Sequence, residues 1–215
     1  MISPRPLSPI HDILAALHPS WSSDSVIPKT VLRFDSHDEH KANILGIADV
    51  SQQPRAGAKG RGAADWLSGL GLQVPSASNS WSELPDGGLI ARLGVTEFLV
   101  EGDALPVDKI MQAERVPGVY PVLRQDAAFA LCGARVNELL LQTCNVDFRM
   151  LDADPSKVIL TSMAGVGITI LSRKTGHFPN YRIWCDGTYG VYLWETLAEI
   201  ANDLGGGCIG LDALP

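Results

Sequence analysis

No apolar run in this chain approaches the roughly 20 residues that a bilayer-spanning helix requires. The opening stretch MISPRPLSPI sets prolines where a secretory leader would need a continuous apolar segment. Both absences lead us to expect a cytoplasmic protein with no membrane partner. Cysteine is sparse: Cys132, Cys144, Cys185 and Cys208 are well separated and form no CxxC pair. A zinc site wants close, paired ligands, so the thiols read as small buried hydrophobes of a reducing compartment. Positive charge is also short. Seventeen Lys and Arg face 24 Asp and Glu, a formal net charge of −7. The basic residues gather only in KGR at 59–61 and SRK at 172–174. A phosphate backbone wants a basic face, so nucleic acid is not an expected partner. The densest His and acid stretch, DSHDEHK at 35–41, offers His37 and His40 three residues apart. A solvated loop explains it more simply than a metal site, and no metal is expected.

What is present is ordinary globular material. The 215 residues, 46% of them hydrophobic, suffice for one sizeable domain or two small ones around a shared core. The chain also repeats itself. AGAKGRGAADWL at 56–67 and AAFALCGARVNELL at 127–140 each run a small or apolar stretch into a glycine, Gly60 or Gly133, and then into an apolar-periodic segment. Ala63 aligns with Val136, Trp66 with Leu139 and Leu67 with Leu140, all at an offset of 73 residues. That period is long for a solenoid and fits a duplicated α+β module.

The elements follow the same order twice. Residues 1–41 read as an N-terminal arm with a short apolar helical stretch from Ile10 to Leu17 and a Trp21 suited to pinning it down. Residues 42–118 form the first module. ANILGIADVS is strand-like; a helix follows Gly60; 74–88 is a turn-rich loop; LIARLG and VTEFLVEG make a hairpin about Gly94; and a helix opens at Pro106. Residues 119–215 form the second. AAFALCG is a strand; a helix follows; 156–173 is a hairpin turning near Gly165 and Gly167; YRIWCD at 181–186 is a strand; and Leu193 to Leu204 is an amphipathic helix closed by Gly205–Gly207. A lone sheet of this kind leaves one apolar face uncovered, and pairing two of them buries it.

The phrase IADVSQQPRAGAKGRGAADWLSGL, with Asp49, Ser51, Gly60 and Ala63, resembles the opening of the aminomethyltransferase (glycine-cleavage T-protein) superfamily. There an Asp-x-Ser strand leads into a Gly-x-x-Ala helix. GGLIARLGVTEFLVEGD is similar to that family's first hairpin, and AAFALCGARVNELLLQTCNVDF to its Leu-x-Gly-Pro-x-Ala phrase. Within the superfamily the chain most resembles the gamma subunit of heterotetrameric sarcosine oxidase, through Arg92, Leu93, Gly94, Glu97, Phe98 and Leu99 and through Leu193, Trp194 and Glu195. The resemblance spans roughly 42–212. It implies two tandem ferredoxin-like modules, antiparallel sheets covered by helices, in the folate-binding fold, with the family's C-terminal barrel lacking because the chain stops at GCIGLDALP.

The departures from that family shape the functional expectation. Folate-using members carry a Tyr-Thr-Gly-Glu phrase whose glutamate grips the pterin, whereas the matching SRKTGHFPNYRIW has no glutamate. A pterin bound without it would leave N–H donors unpaired, at about 1–3 kcal/mol each. Asp86 lies near the family's catalytic aspartate but one residue out of register with Gly87, and a turn aspartate before two glycines is the plainer reading. Gly60 and Gly133 sit in no phosphate-binding phrase and read as tight strand-to-helix turns. Cys132 has no histidine fixed near it and reads as a buried thiol rather than a nucleophile. Trp184, Tyr189, Tyr192 and Trp194 crowd the last strand and helix. Some belong to the core, and the exposed ones would anchor an interface.

Two readings follow. The resemblance implies an accessory subunit with no catalytic residue of its own, docked on flavin-bearing subunits of a sarcosine-oxidase-like complex. The alternative is a one-carbon transfer protein holding tetrahydrofolate between the modules, with Asp86 as anchor and Arg92 or Arg173 meeting the glutamate tail.

Overall fold

The computed structural model describes residues 7–22, 30–85, 87–102, 104–114, 116–149, 151, 154–173 and 178–215. The chain divides into two compact units, each a mixed α+β body. The first comprises Met1–Gln52, Gln125–Pro155 and Leu160–Pro215; the second comprises Gln53–Arg124 and Ser156–Ile159. This division departs from the chain-order modules 42–118 and 119–215. The physical reason lies in one short strand, β3 (Gly46–Asp49). It finds its partners in β9 (Ala127–Cys132) and β13 (Gly207–Cys208), far along the chain, rather than in the strands that follow it. Parts of the expected N-terminal arm belong to the same unit. They are α1 (His11–Ala15), the β1–β2 pair (Ser20–Trp21 with Val31–Arg33) and α2 (Asp38–Leu45).

The first unit is built on a six-stranded sheet, ordered β10–β11–β12–β9–β3–β13. Here β10 is Val158–Met163, β11 Val166–Arg173 and β12 Asn180–Cys185. Among the described registers β13 against β3 is parallel, and β11–β12, β12–β9 and β3–β9 are antiparallel. Register sorts the side chains. Ile47, Phe129, Leu131, Tyr181 and Ile183 share one face. Two helices cover it: α5 (Val136–Thr143), whose Asn137 accepts the Tyr181 hydroxyl at 3.1 Å, and α6 (Gly190–Asp203), whose Trp194 ring lies 5.4 Å from Phe129. The other face carries Ala128, Ala130, Leu171, Arg182 and Trp184, all buried.

The second unit holds a five-stranded antiparallel sheet, ordered β5–β6–β7–β4–β8. The strands are β4 (Arg55–Lys59), β5 (Ser80–Glu83), β6 (Leu89–Arg92), β7 (Glu97–Glu101) and β8 (Tyr120–Val122). Ala56, Ala58, Ile90, Phe98 and Val100 form its packed face, closed by Ala63 and Leu67 of α3 (Ala63–Gly69) and by Val107 and Ile110 of α4 (Ala104–Gln112). The stretch 74–88, read as a loop, contains β5. Its Trp81 N–H donates to Ser156 and its Asn79 carbonyl accepts from Val158, so pairing partners supply what a polar sequence did not advertise.

The repeated phrase is a repeated turn. β4 enters Gly60 at φ +119° and α3 starts at Ala63; β9 enters Gly133 at φ +114° and α5 starts at Val136. In both, the N–H three residues on returns to the glycine carbonyl. Each glycine is required twice over: an L side chain resists that φ, and a Cβ would strike the carbonyl of Gly118 at Gly60, or of Ile44 at Gly133.

Two local devices carry predictions. In DSHDEHK, residues 35–37 form a bend and turn as expected of a loop, whereas residues 38–41 open α2, and Asp38 there is buried at 3% exposure. Its carboxylate accepts N–H bonds from Phe34 (2.9 Å), Asp35 (3.1 Å) and Gly210 (2.8 Å), tying the end of β2 and the start of α2 to the C-terminal segment. Asp38→Ala is expected to lower stability by about 2–3 kcal/mol through three stranded donors. Hydrogen exchange would show the Gly210 amide losing protection first. At the β10–β11 turn, Ala164 holds φ +49° and Gly165 φ +84°, a pair of positive values that suits Asn-Gly. Ala164→Asn is expected to raise the unfolding free energy by about 0.5–1 kcal/mol, measurable by urea titration.

Candidate functional site

The charged residues of most interest lie on the sheet faces that the helices do not cover. In the second unit, alternation along β4 and β7 places Arg55, Gly57, Glu97, Leu99 and Glu101 together. Arg55 and Glu101 are direct cross-strand partners, with Nη1 and Oε2 3.8 Å apart and side chains only 3% and 1% exposed. Beside them Arg124 reaches over Gly57 to Glu97, its Nη2 2.6 Å from the carboxylate. A Cβ on Gly57 would lie 2.9 Å from the Arg124 Nε, so the glycine makes the corridor for that side chain. Two guanidinium groups are thus matched by two carboxylates.

In the first unit, Arg182 (3% exposed) stands on β12 between Asn180 and Trp184, the two residues that share its face. Arg173, half-buried, ends β11 in register with Asn180. The Asp-x-Ser phrase has a structural task nearby. The Ser51 hydroxyl donates to Asp49 at 2.5 Å and accepts the Ala128 N–H at 2.9 Å, standing in for a main-chain partner where β3 ends.

The residues singled out from the sequence fall in different places. Asp86 lies outside the described residues. Arg92 is engaged within its own unit: it donates to the carbonyls of Gly94, Pro75, Ser76 and Val95 at 2.7–3.2 Å, and its guanidinium lies 5.4 Å from the Phe98 ring centroid. Those bonds occupy four of its five N–H directions, which fits a pin for the hairpin loop and leaves little for a folate tail. Trp184 and Trp194 are core residues at 3% and 2% exposure, whereas Tyr189 and Tyr192 are 54% and 53% exposed. Burial pushes the Cys132 thiol up to about 11, with the Gly46 N–H pulling weakly the other way. Cys185 is pushed up to about 12 by burial, then by Asp126 and Asp186, and Cys208 to about 11 by burial. All three are protonated at neutral pH, which removes the thiolate a nucleophile needs. Among the described residues no group of His, Cys, Asp and Glu is arranged to hold a metal ion, and no helix is long and apolar enough to cross a membrane. The Arg55, Glu101 and Arg182 positions escaped the sequence reading. Arg182 had the signal of a charge inside a largely apolar strand, whereas Arg55 and Glu101 end strands that carry a second charge and gave none.

No protein-family model and no curated protein matches this sequence. Solved structures do. Aminomethyltransferase T of the glycine cleavage system from Bartonella henselae superposes with a TM-score of 0.68 at 13% identity, over 99% of this chain. This chain has the aminomethyltransferase-type fold. It spans 61% of the Bartonella protein. A chain of the heterotetrameric sarcosine oxidase from Corynebacterium sp. U-96, solved with pyrrole 2-carboxylate, also shares it, with a TM-score of 0.68 at 16% identity over 93% of this chain and 96% of that one. The aminomethyltransferase-type fold here comprises predominantly antiparallel sheets backed by helices, and the described residues contain no closed barrel.

Proposed function

We propose that this chain is a gamma-type accessory subunit of a heteromeric, sarcosine-oxidase-like flavoenzyme complex that oxidises N-methyl amino acids. Flavin resides on the companion subunits, and this chain holds their assembly without a complete catalytic site. The observation that carries the reading is the near end-to-end correspondence with one chain of a heterotetrameric sarcosine oxidase. The chemistry of the faces agrees with it. Arg92 is spent on a loop, Arg55 and Arg124 face their own carboxylates, and three thiols are held protonated. Affinity purification of the tagged full chain from its native host tests it: a flavin-absorbing companion should co-elute in fixed ratio. A chain that runs alone at native expression would count decisively against the proposal.

The likeness to aminomethyltransferase T favours a second reading, a tetrahydrofolate-binding one-carbon transferase in which Asp86 and Arg173 meet the ligand. Calorimetry separates the two. Tetrahydrofolate binding at micromolar strength, about −8 kcal/mol, would promote the second over the first.

A further inference from the structure

We infer that the outward face of α6 is the docking surface of this chain and that it fits a protein surface rich in arginine. The inference rests on the accessory-subunit reading and adds the chemistry of the contact. From Ile183 to Pro215 the sequence contains no Lys, Arg or His, but five acids: Asp186, Glu195, Glu199, Asp203 and Asp212. That short segment therefore supplies five of the chain's seven net negative charges. Within α6 the buried set is Gly190, Leu193, Trp194, Leu197 and Ala201. Of the exposed residues, Tyr192, Glu195, Glu199 and Asp203 recur at three- and four-residue steps and so form one outward stripe, with exposed Asn202 at its flank. Tyr189 and Val191, also exposed, extend the apolar part of that stripe at the helix start.

Two properties distinguish this stripe from a merely solvated helix face. First, it holds a large aromatic in place before any partner arrives. The Tyr192 hydroxyl donates to the Ala164 carbonyl at 3.1 Å, and the Ala164 N–H donates to Thr143, so one turn braces the ring against the rest of its unit. A braced, half-exposed tyrosine contributes contact area at small entropic cost on binding. Second, the carboxylates lack the alternating cations of a self-neutralised surface helix. The cation that the described contacts tie to this helix is Arg135, which donates to the Leu204 carbonyl at its far end and is itself paired with Glu138. Tyrosine and carboxylate side by side suit arginine, whose guanidinium stacks on the ring while its N–H groups meet the acid.

The test uses the tagged full chain in its native host, with the companion identified by flavin absorbance and mass spectrometry. Glu195→Lys/Glu199→Lys is expected to reduce the recovered flavoprotein at least about tenfold, with the circular dichroism unchanged. The milder Glu195→Gln/Glu199→Gln variant, which keeps the shape of both side chains, should weaken recovery less and flatten its salt dependence. Glu39→Lys, an exposed acid on α2, should leave recovery as in the unmodified chain. Full recovery with both α6 variants would overturn this inference while leaving the accessory-subunit reading standing. Absence of any flavoprotein with the unmodified chain would overturn both.

Discussion

Glu101→Ala is expected to cost about 3–5 kcal/mol of unfolding free energy, a substantial share of the roughly 5–15 kcal/mol that holds a typical domain folded. Its carboxylate, 1% exposed, faces Arg55 across β4 and β7. Removing the acid leaves a guanidinium inside a sheet face where water cannot replace the lost charge. The sharper test is the pair. An Arg55→Met/Glu101→Leu variant removes both ions and fills similar volume, and such replacements are often neutral or stabilising. Urea midpoints for the two single variants and the double should therefore show strong coupling, with the double recovering most of the loss. Additive losses would show that the ions act separately and that the 3.8 Å approach has no energetic meaning.

Gly133→Ala should be comparably severe, at about 3 kcal/mol or more. The added methyl would stand 2.6 Å from the Ile44 oxygen and 2.8 Å from the Ala42 oxygen, on a backbone at φ +114°. The Ile44 carbonyl cannot simply move, and the peptide next to it is tied down as well. The Ile44 oxygen accepts the Arg135 N–H at 2.9 Å and the Asn43 oxygen accepts the Ala134 N–H at 3.0 Å. The last turn of α2 thus satisfies the amides of the two residues that lead into α5, which would otherwise go without partners. Prying them apart breaks both helix ends at once. Gly165→Ala is the matched control. Its φ of +84° is equally unsuited to alanine, yet nothing lies within 4 Å, so only the conformational term of about 1–2 kcal/mol remains. A Gly133→Ala loss no greater than that of Gly165→Ala would show that the helix ends yield.

The comparison of these two glycines also shows what a sequence can and cannot disclose. The repeat legible at Gly60 and Gly133 exists because a strand must reverse into a helix within three residues, a local demand that leaves a local trace. The hairpins around Gly94 and Gly165 were legible for the same reason, and so was the helix ending at Gly205–Gly207. What eluded the reading was non-local. β3 looks like the opening of a module, yet its partners are β9 and β13. β5 looks like loop because its stability comes from β6 and from 156–158 rather than from its own polar residues. Asp38 was hidden among exposed histidines and acids, since nothing in DSHDEHK says that one carboxylate will meet the N–H of Gly210. The aromatic quartet was legible as to kind but not as to side: both tryptophans point into the core, and both tyrosines remain outside. The charged strand positions resisted for a related reason. A sequence shows Arg55 and Glu101 as charges bordering short apolar stretches but not that they stand opposite each other.

The placement of β3 sets a timetable for synthesis. Residues 53–124 contain every strand of the five-stranded sheet and can begin to close while later codons are still being read. Gly46–Asp49, made earlier, has no ladder to join until Ala127–Cys132 emerges, and its other edge stays open until Gly207–Cys208 is released almost at the end. The middle of this polypeptide should therefore mature before its beginning. A released polypeptide of residues 1–124 should resist protease within 53–124 while remaining cleavable before residue 46; protection in the opposite order would refute that schedule.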